Sequence, residues 1–123
     1  MEDFQANRPI YMQLVDRISH KIVRGELKPG DKLKSVREMA VESGVNPNTV
    51  QRTYSEMERV GIVETRRGQG TFVSESEERL EMLREQLKSN HIMKFIQEMT
   101  AMGFKQDEII RDIQSFMVKE NMK

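Results

Sequence analysis

Asn48, Thr49, Gln51 and Arg52 form the densest set of side chains in this sequence able to read another molecule. Arg can place two N–H donors on guanine, Asn or Gln can pair twice with adenine, and Thr can reach a phosphate or a base. Each of them alone would be an ordinary solvated helix residue. Four of them on the first turns of one short helix, behind a tight turn, match what a groove-reading helix presents: one side buried, the amino-terminal turns free for base edges and phosphates.

Capping chemistry bounds the elements that must hold these groups. Asn46 caps the helix and Pro47 fits its first position, where a missing N–H is harmless. Val50, Tyr54 and Met57 then recur at helical spacing as its buried face, and Gly61 stops it. Asn48 and Arg52 fall opposite that face. The preceding helix starts at Ser35, whose spacing to Glu38 is that of a capping box, and ends at Gly44, which can take positive φ and reverse the chain. Further upstream, Pro9 opens a helix over Tyr11 to Gly25 with Leu14, Ile18 and Ile22 as its ridge. A turn over Leu27 to Asp31 follows, and Leu33 returns to the core.

After Gly61 the period changes to two. Ile62 to Arg66 and Thr71 to Val73 read as strands, with Arg67-Gly68-Gln69-Gly70 as the turn between them. Two short capped helices followed by a hairpin with a basic tip are the parts of a winged helix-turn-helix. Gly68-x-Gly70 lacks the strand-turn-helix setting of a dinucleotide site and the trailing Lys-Ser/Thr of a phosphate loop, so neither nucleotide-binding reading applies.

The segments Pro9-Ile10-Tyr11-Met12-Gln13-Leu14, Gly25-Glu26-Leu27-Lys28-Pro29-Gly30-Asp31-Lys32-Leu33, Ser35-Val36-Arg37-Glu38-Met39-Ala40, Gly44-Val45-Asn46-Pro47-Asn48-Thr49-Val50 and Thr65-Arg66-Arg67-Gly68-Gln69-Gly70-Thr71-Phe72-Val73 occur in order. Together they resemble the DNA-binding domain of GntR-family bacterial transcription regulators, and the short remainder resembles the YtrA-like subfamily, whose second domain is a helical pair used for dimerisation. Lys34 stands where the family usually has proline, and Pro47 replaces an arginine found in some members. Carried over by position, the resemblance implies DNA contacts by Arg37, Asn46, Asn48, Thr49, Gln51, Arg67 and Gly68. Lys34, Ser35, Arg52, Arg66 and Thr71 complete the expected DNA-facing set.

Composition sets bounds on this reading. The formal net charge is zero, with 12 Lys or Arg against 10 Asp or Glu in residues 1–74 and 8 against 10 in residues 75–123. A protein that coats nucleic acid by bulk charge is excluded, and non-specific affinity falls to Lys34, Arg37, Arg52, Arg66 and Arg67. No cysteine is present, which fits a reducing compartment. His20 and His91 are too far apart in sequence to suggest a metal site, and no nucleophile-base pair or cofactor fingerprint appears. The expectation is no cofactor and no enzyme. Acidic Glu2 and Asp3 without an apolar signal core, and no stretch long enough to cross a bilayer, predict a cytoplasmic location away from membranes.

The second region is expected to open at Ser74, three residues before Glu77, as another capping box. Leu80, Leu83 and Leu87 begin an apolar stripe that Ile92, Phe95, Ile96, Met99 and Met102 resume, with a change of phase around Ser89-Asn90-His91 that predicts a bend or a change of partner. Gly103 turns the chain into a helix carrying Ile109, Ile110, Ile113, Phe116 and Met117, with Lys119, Glu120 and Lys123 on its polar tail. Two such helices carry more apolar surface than they can hide alone, so pairing with a second copy is expected, through Leu80, Leu83, Leu87, Phe95, Met99, Ile109, Ile113 and Phe116. Met82, Met93, Met99, Met102 and Met117 read as adaptable core, with a soft pocket for an apolar effector as the rival.

The expected fold is therefore mainly α with a small β-hairpin: a winged helix-turn-helix over residues 1–74, then a two-helix dimerisation region over residues 75–123. The expected function is a homodimeric transcription regulator, a repressor rather than an activator, on an inverted-repeat operator of double-stranded DNA. A winged-helix module that binds protein through its helices is the alternative. Operator sequence, regulated genes and any small effector stay open.

Overall fold

The computed structural model describes residues 4–121, so Glu2, Asp3 and Lys123 lie outside the described residues. The element order is α1 (Ile10–Val23), α2 (Val36–Ser43), α3 (Pro47–Arg59), β1 (Val63–Arg66), β2 (Gly70–Val73), α4 (Glu77–Ala101) and α5 (Gln106–Asn121). The chain divides into two compact units, Met1–Arg84 and Glu85–Lys123.

In the first unit, local chemistry sets the boundaries. The Glu38 N–H donates to Ser35 Oγ (3.1 Å) and the Ser35 N–H returns to Glu38 Oε1 (3.1 Å), closing the capping box of α2. Gly44 ends that helix at φ +68, in the left-handed region a Cβ would oppose. Asn46 caps α3 by accepting from the Asn48 N–H at 2.8 Å. The apolar stripes then meet: Leu14, Ile18 and Ile22 of α1 and Val50, Tyr54 and Met57 of α3 are buried with Leu33, Met39, Ile62, Val63 and Val73 in one core.

Two buried polar groups fasten this core. Thr53 of α3 donates to its own helix at Thr49 O (2.8 Å) and approaches Tyr11 O of α1 (3.4 Å), which joins the two helices. Gln13 accepts from the Gln5 N–H (2.7 Å) and donates to Gln5 O (2.7 Å) and Arg8 O (2.9 Å), lacing the segment before α1 onto the helix.

The wing is an antiparallel hairpin pairing Val63 with Val73, Glu64 with Phe72, Thr65 with Thr71 and Arg66 with Gly70. The stretch before α2 adds a short third line to it. Leu33 N donates to Thr71 O, Val73 N to Asp31 O and Gly30 N to Val73 O, at 2.8, 2.8 and 2.9 Å. The spacing of Leu27 to Asp31 predicts only a turn before Leu33.

Helix α4 starts two residues later than the Ser74–Glu77 spacing implies. Ser74 Oγ accepts from the Ser76 N–H (3.1 Å), and Ser76 Oγ accepts from the Arg79 N–H (3.2 Å), so Ser76 caps the helix and Ser74 shapes the turn before it. No break interrupts the helix at Ser89-Asn90-His91; it runs continuously to Ala101. Its first turns belong to the first unit, where Leu80 and Leu83 pack against the core and Arg84 donates to Val23 O (3.0 Å) at the end of α1.

The second unit contains the rest of α4, a turn at Gly103 (φ +92) and α5. Ile109 is its buried residue, at 6% exposure. A groove of about 950 Å³ lies between the helices, floored by Ile92, Phe95, Ile96, Phe104, Ile113 and Met117. Met93, Met102 and Met117 are exposed and Met99 is half-buried, because two helices offer too few neighbours to cover them, and Met82 of the first unit is exposed as well, so in one chain these methionines do not form a core.

Candidate nucleic-acid interface

The residues expected to meet DNA come from three elements of the first unit. At the start of α3, Asn46, Asn48, Gln51 and Arg52 are exposed and Thr49 is half-buried, on the side away from Val50, Tyr54 and Met57. The Asn46 side-chain oxygen is occupied by its cap, which leaves its amide N–H groups to face outward. Ser35 and Arg37 are exposed at the start of α2. Backbone and hydroxyl hydrogen bonds from Ser35 hold the Glu38 carboxyl below the usual carboxylate range, so it is ionised beside this surface.

Tyr54 fixes the approach to α2 from beneath. Its hydroxyl donates to Lys34 O at 2.7 Å, and burial, with the nearby Glu38 charge, pushes its pKa up to about 12. A tyrosine in a core needs such a partner. This one pins the backbone of a residue whose side chain lies on the surface.

At the wing tip the Gln69 N–H closes a turn on Arg66 O (2.8 Å), with Gly68 at φ +76 in its third position, as a type II turn requires. Nothing lies within 4 Å of where a Gly68 Cβ would be, whereas a Cβ on Gly70 would sit 2.8 Å from Lys32 Cε. Gly68 is thus a conformational requirement in open space, and Gly70 is explained by its own neighbours. Thr71 is half-buried and its carbonyl is taken by Leu33.

The five cations expected to carry DNA affinity fall into two groups. Lys34 is ion-paired with Glu42 of α2. Arg66 bonds Glu64 (2.8 Å), lies 3.7 Å from Glu75 and stacks 4.2 Å from the Phe72 ring centre. By contrast, Arg37, Arg52 and Arg67 make no ion pair among the described residues, and Arg52 rests on an aromatic ring instead, 3.9 Å above Tyr11. Sequence reasoning missed Glu42, Glu64 and Tyr11 as partners. The alternation of β1 could have put Glu64 beside Arg66; nothing in the sequence ties Tyr11 to Arg52.

The residues expected at a dimer interface differ in how far each is already covered within its own unit. Leu80 and Leu83 are engaged by the winged-helix core, and Ile109 is buried in its own unit. Leu87 and Met99 are half-buried, and Phe95, Ile113 and Phe116 are exposed. Among the described residues no group of three or more His, Asp or Glu could hold a metal, and no helix is long and apolar enough to cross a membrane.

Residues 10–73 match the model of the bacterial regulatory proteins of the gntR family. The chain is 52% identical over 113 residues to YhcF of Bacillus subtilis, an uncharacterised HTH-type transcriptional regulator, covering 92% of this chain and 93% of that one. It is 46% identical over 92 residues to the HTH-type transcriptional repressor YtrA of the same organism, covering 70% and 71%. A GntR family transcriptional regulator from Listeria monocytogenes superposes with a TM-score of 0.87 at 39% identity, covering 91% of this chain and 98% of the other. The chain belongs to the GntR family of bacterial regulatory proteins, in its YtrA-like branch, and is a DNA-binding transcription regulator.

Proposed function

We propose that this regulator works as a homodimeric repressor on an inverted-repeat operator. The observation that carries the dimer is the apolar groove between α4 and α5. Along it Met117 is 60% exposed, Ile92 53% and Ile110 49%, and Phe116, one turn on from Ile113 and outside the groove's lining, is 66% exposed, on helices that bury little but Ile109. Contiguous apolar surface of this kind marks an association face, and a second copy covers both faces at once through a two-fold axis. On this reading Phe95, Ile113 and Phe116 form the centre of the interface, with Leu87 and Met99 at its margin. The functional division falls between the winged helix and the helical pair, with α4 running from one into the other.

Two winged helices related by a two-fold axis would address half-sites about one helical turn, or a multiple, apart. Within each, α3 reads base edges through Asn48, Gln51 and Arg52, while Arg37, Thr49 and Arg67 hold phosphates. Repression is supported by the similarity to a repressor and by the economy of the chain: a dimer seated on a promoter blocks polymerase with no further surface. The work of such a regulator is cytoplasmic. Selection from a pool of randomised duplexes, with light scattering on the same preparation, tests the proposal. Enrichment of an inverted repeat by a dimer is expected; a monomer retaining a single asymmetric half-site would refute it.

A further inference from the structure

Arg52 differs from its neighbouring cations in the kind of partner that restrains it. Lys34, Arg59 and Arg66 are each held by a carboxylate. Arg52 lies over the Tyr11 ring at 3.9 Å and makes no hydrogen bond or ion pair among the described residues. The distinction is chemical. A carboxylate takes up N–H donors and cancels the charge that a phosphate or base would meet, whereas an aromatic face attracts the guanidinium through its quadrupole and leaves the in-plane N–H edge unspent.

The surroundings enforce this choice. Glu56 stands four residues after Arg52, the spacing of a helical ion pair, and feels its charge only across space, because both of its oxygens are engaged by Arg59, one of them at 3.0 Å. Tyr11 is also fixed in place. It is half-buried in the first turn of α1, and its carbonyl faces Thr53 Oγ1 at 3.4 Å, the residue next to Arg52. A long, flexible side chain on the exposed side of α3 is thus ordered before any DNA arrives.

We propose that Tyr11 is a positioning residue for DNA recognition, setting the plane of Arg52 so that its free N–H edge meets DNA preordered. The inference rests on the reading that α3 faces DNA. Affinity for a labelled duplex enriched from a randomised pool, measured by fluorescence anisotropy, tests it with Tyr11→Phe, Tyr11→Leu, Arg52→Ala and the double variant Tyr11→Leu/Arg52→Ala. Melting is followed for each. Loss of the stack should weaken binding about threefold to fivefold in Tyr11→Leu. Tyr11→Phe keeps the ring and should stay within about twofold of the parent. In the Arg52→Ala background, Tyr11→Leu should cost nothing further. An undiminished loss in that background, or an equal loss in Tyr11→Phe, would overturn the proposal.

If Tyr11→Leu melts below the assay temperature, the ring-current shift of the Arg52 side-chain protons reads the same contact by NMR. Retention of that shift on the duplex supports the proposal, and its collapse overturns it. Failure of the underlying reading looks different: the shift is present in free protein, yet Arg52→Ala binds every duplex as the parent does, which removes the DNA-facing role of Arg52 and the positioning role with it.

Discussion

Arg66 and Arg67 are adjacent and chemically identical, and the structure predicts opposite consequences of removing them. Register is the reason. Glu64, Arg66, Gly70 and Phe72 share one face of the hairpin, so Arg66 meets Glu64 at 2.8 Å and Phe72 at 4.2 Å, while Arg67 lies in the turn, exposed, with no ion pair among the described residues. Arg67→Ala should leave stability within about 0.5 kcal/mol of the parent. Its cost should appear on DNA instead. One lost phosphate contact lowers the slope of log affinity against log salt by about 0.9, so raising salt from about 50 to about 200 mM should weaken the variant roughly 3.5-fold less than the parent, per wing engaged.

Arg66→Ala should behave the other way. Losing a partly exposed cation–π contact and a partly screened ion pair costs about 1 kcal/mol in all, or a melting temperature lower by about 4–8 °C for a unit of this size. Its salt slope should stay near that of the parent. Calorimetry of the free proteins, with anisotropy titrations at several salt concentrations, checks both halves. Equal changes in slope for the two variants would refute the reasoning, because Arg66 would then be leaving Glu64 for a phosphate.

Three further outcomes follow from particular contacts. Glu42→Gln releases Lys34 from its ion pair and removes a negative charge beside it, so if Lys34 meets DNA as proposed, binding to unselected duplex at low salt should tighten by about twofold to threefold, by anisotropy; unchanged affinity would show that Lys34 does not face DNA. Tyr54 has a folded pKa of about 12 against an ordinary 10.0, so it supports the fold below about pH 10 and that support is lost as pH rises through about 12. Tyr54→Phe should therefore cost about 1 kcal/mol at pH 8, by losing the bond to Lys34 O, yet lose less stability than the parent between pH 8 and pH 11 in urea melts. Phe116→Asp should yield a folded monomer by light scattering and circular dichroism, whereas Ile109→Asp should unfold the helical pair, since Ile109 is buried within one chain and Phe116 is not.

What the sequence made legible was local. Caps such as Ser35 with Glu38 and Asn46 with Pro47 act within a few residues, and the ridge of Leu14, Ile18 and Ile22 is a matter of period, so the helices of the winged unit are readable from spacing. The rest depends on which group wins a competition. Ser74 and Ser76 both precede an acidic first turn, and only the path of the chain out of the wing decides that Ser76 caps α4. Leu80, Leu83 and Leu87 form one stripe by period, but the first two are claimed by the winged-helix core. Composition likewise counts cations without showing which of them are already paired.

That pairing changes the meaning of a formal net charge of zero. Five cations were expected on the reading face. Two of them, Lys34 and Arg66, are neutralised by the protein's own carboxylates, which leaves Arg37, Arg52 and Arg67. At about 0.9 per neutralised phosphate, three free cations give a salt slope near −2.7 for each winged unit on non-specific duplex, against about −4.5 if all five engaged. A shallow slope means weak non-specific retention, so on the proposed reading discrimination comes from α3 side chains such as Asn48 and Gln51 rather than from charge. A measured slope near −4.5 per protomer would show that phosphates outcompete Glu42 and Glu64, making those carboxylates guards against idle binding rather than permanent partners.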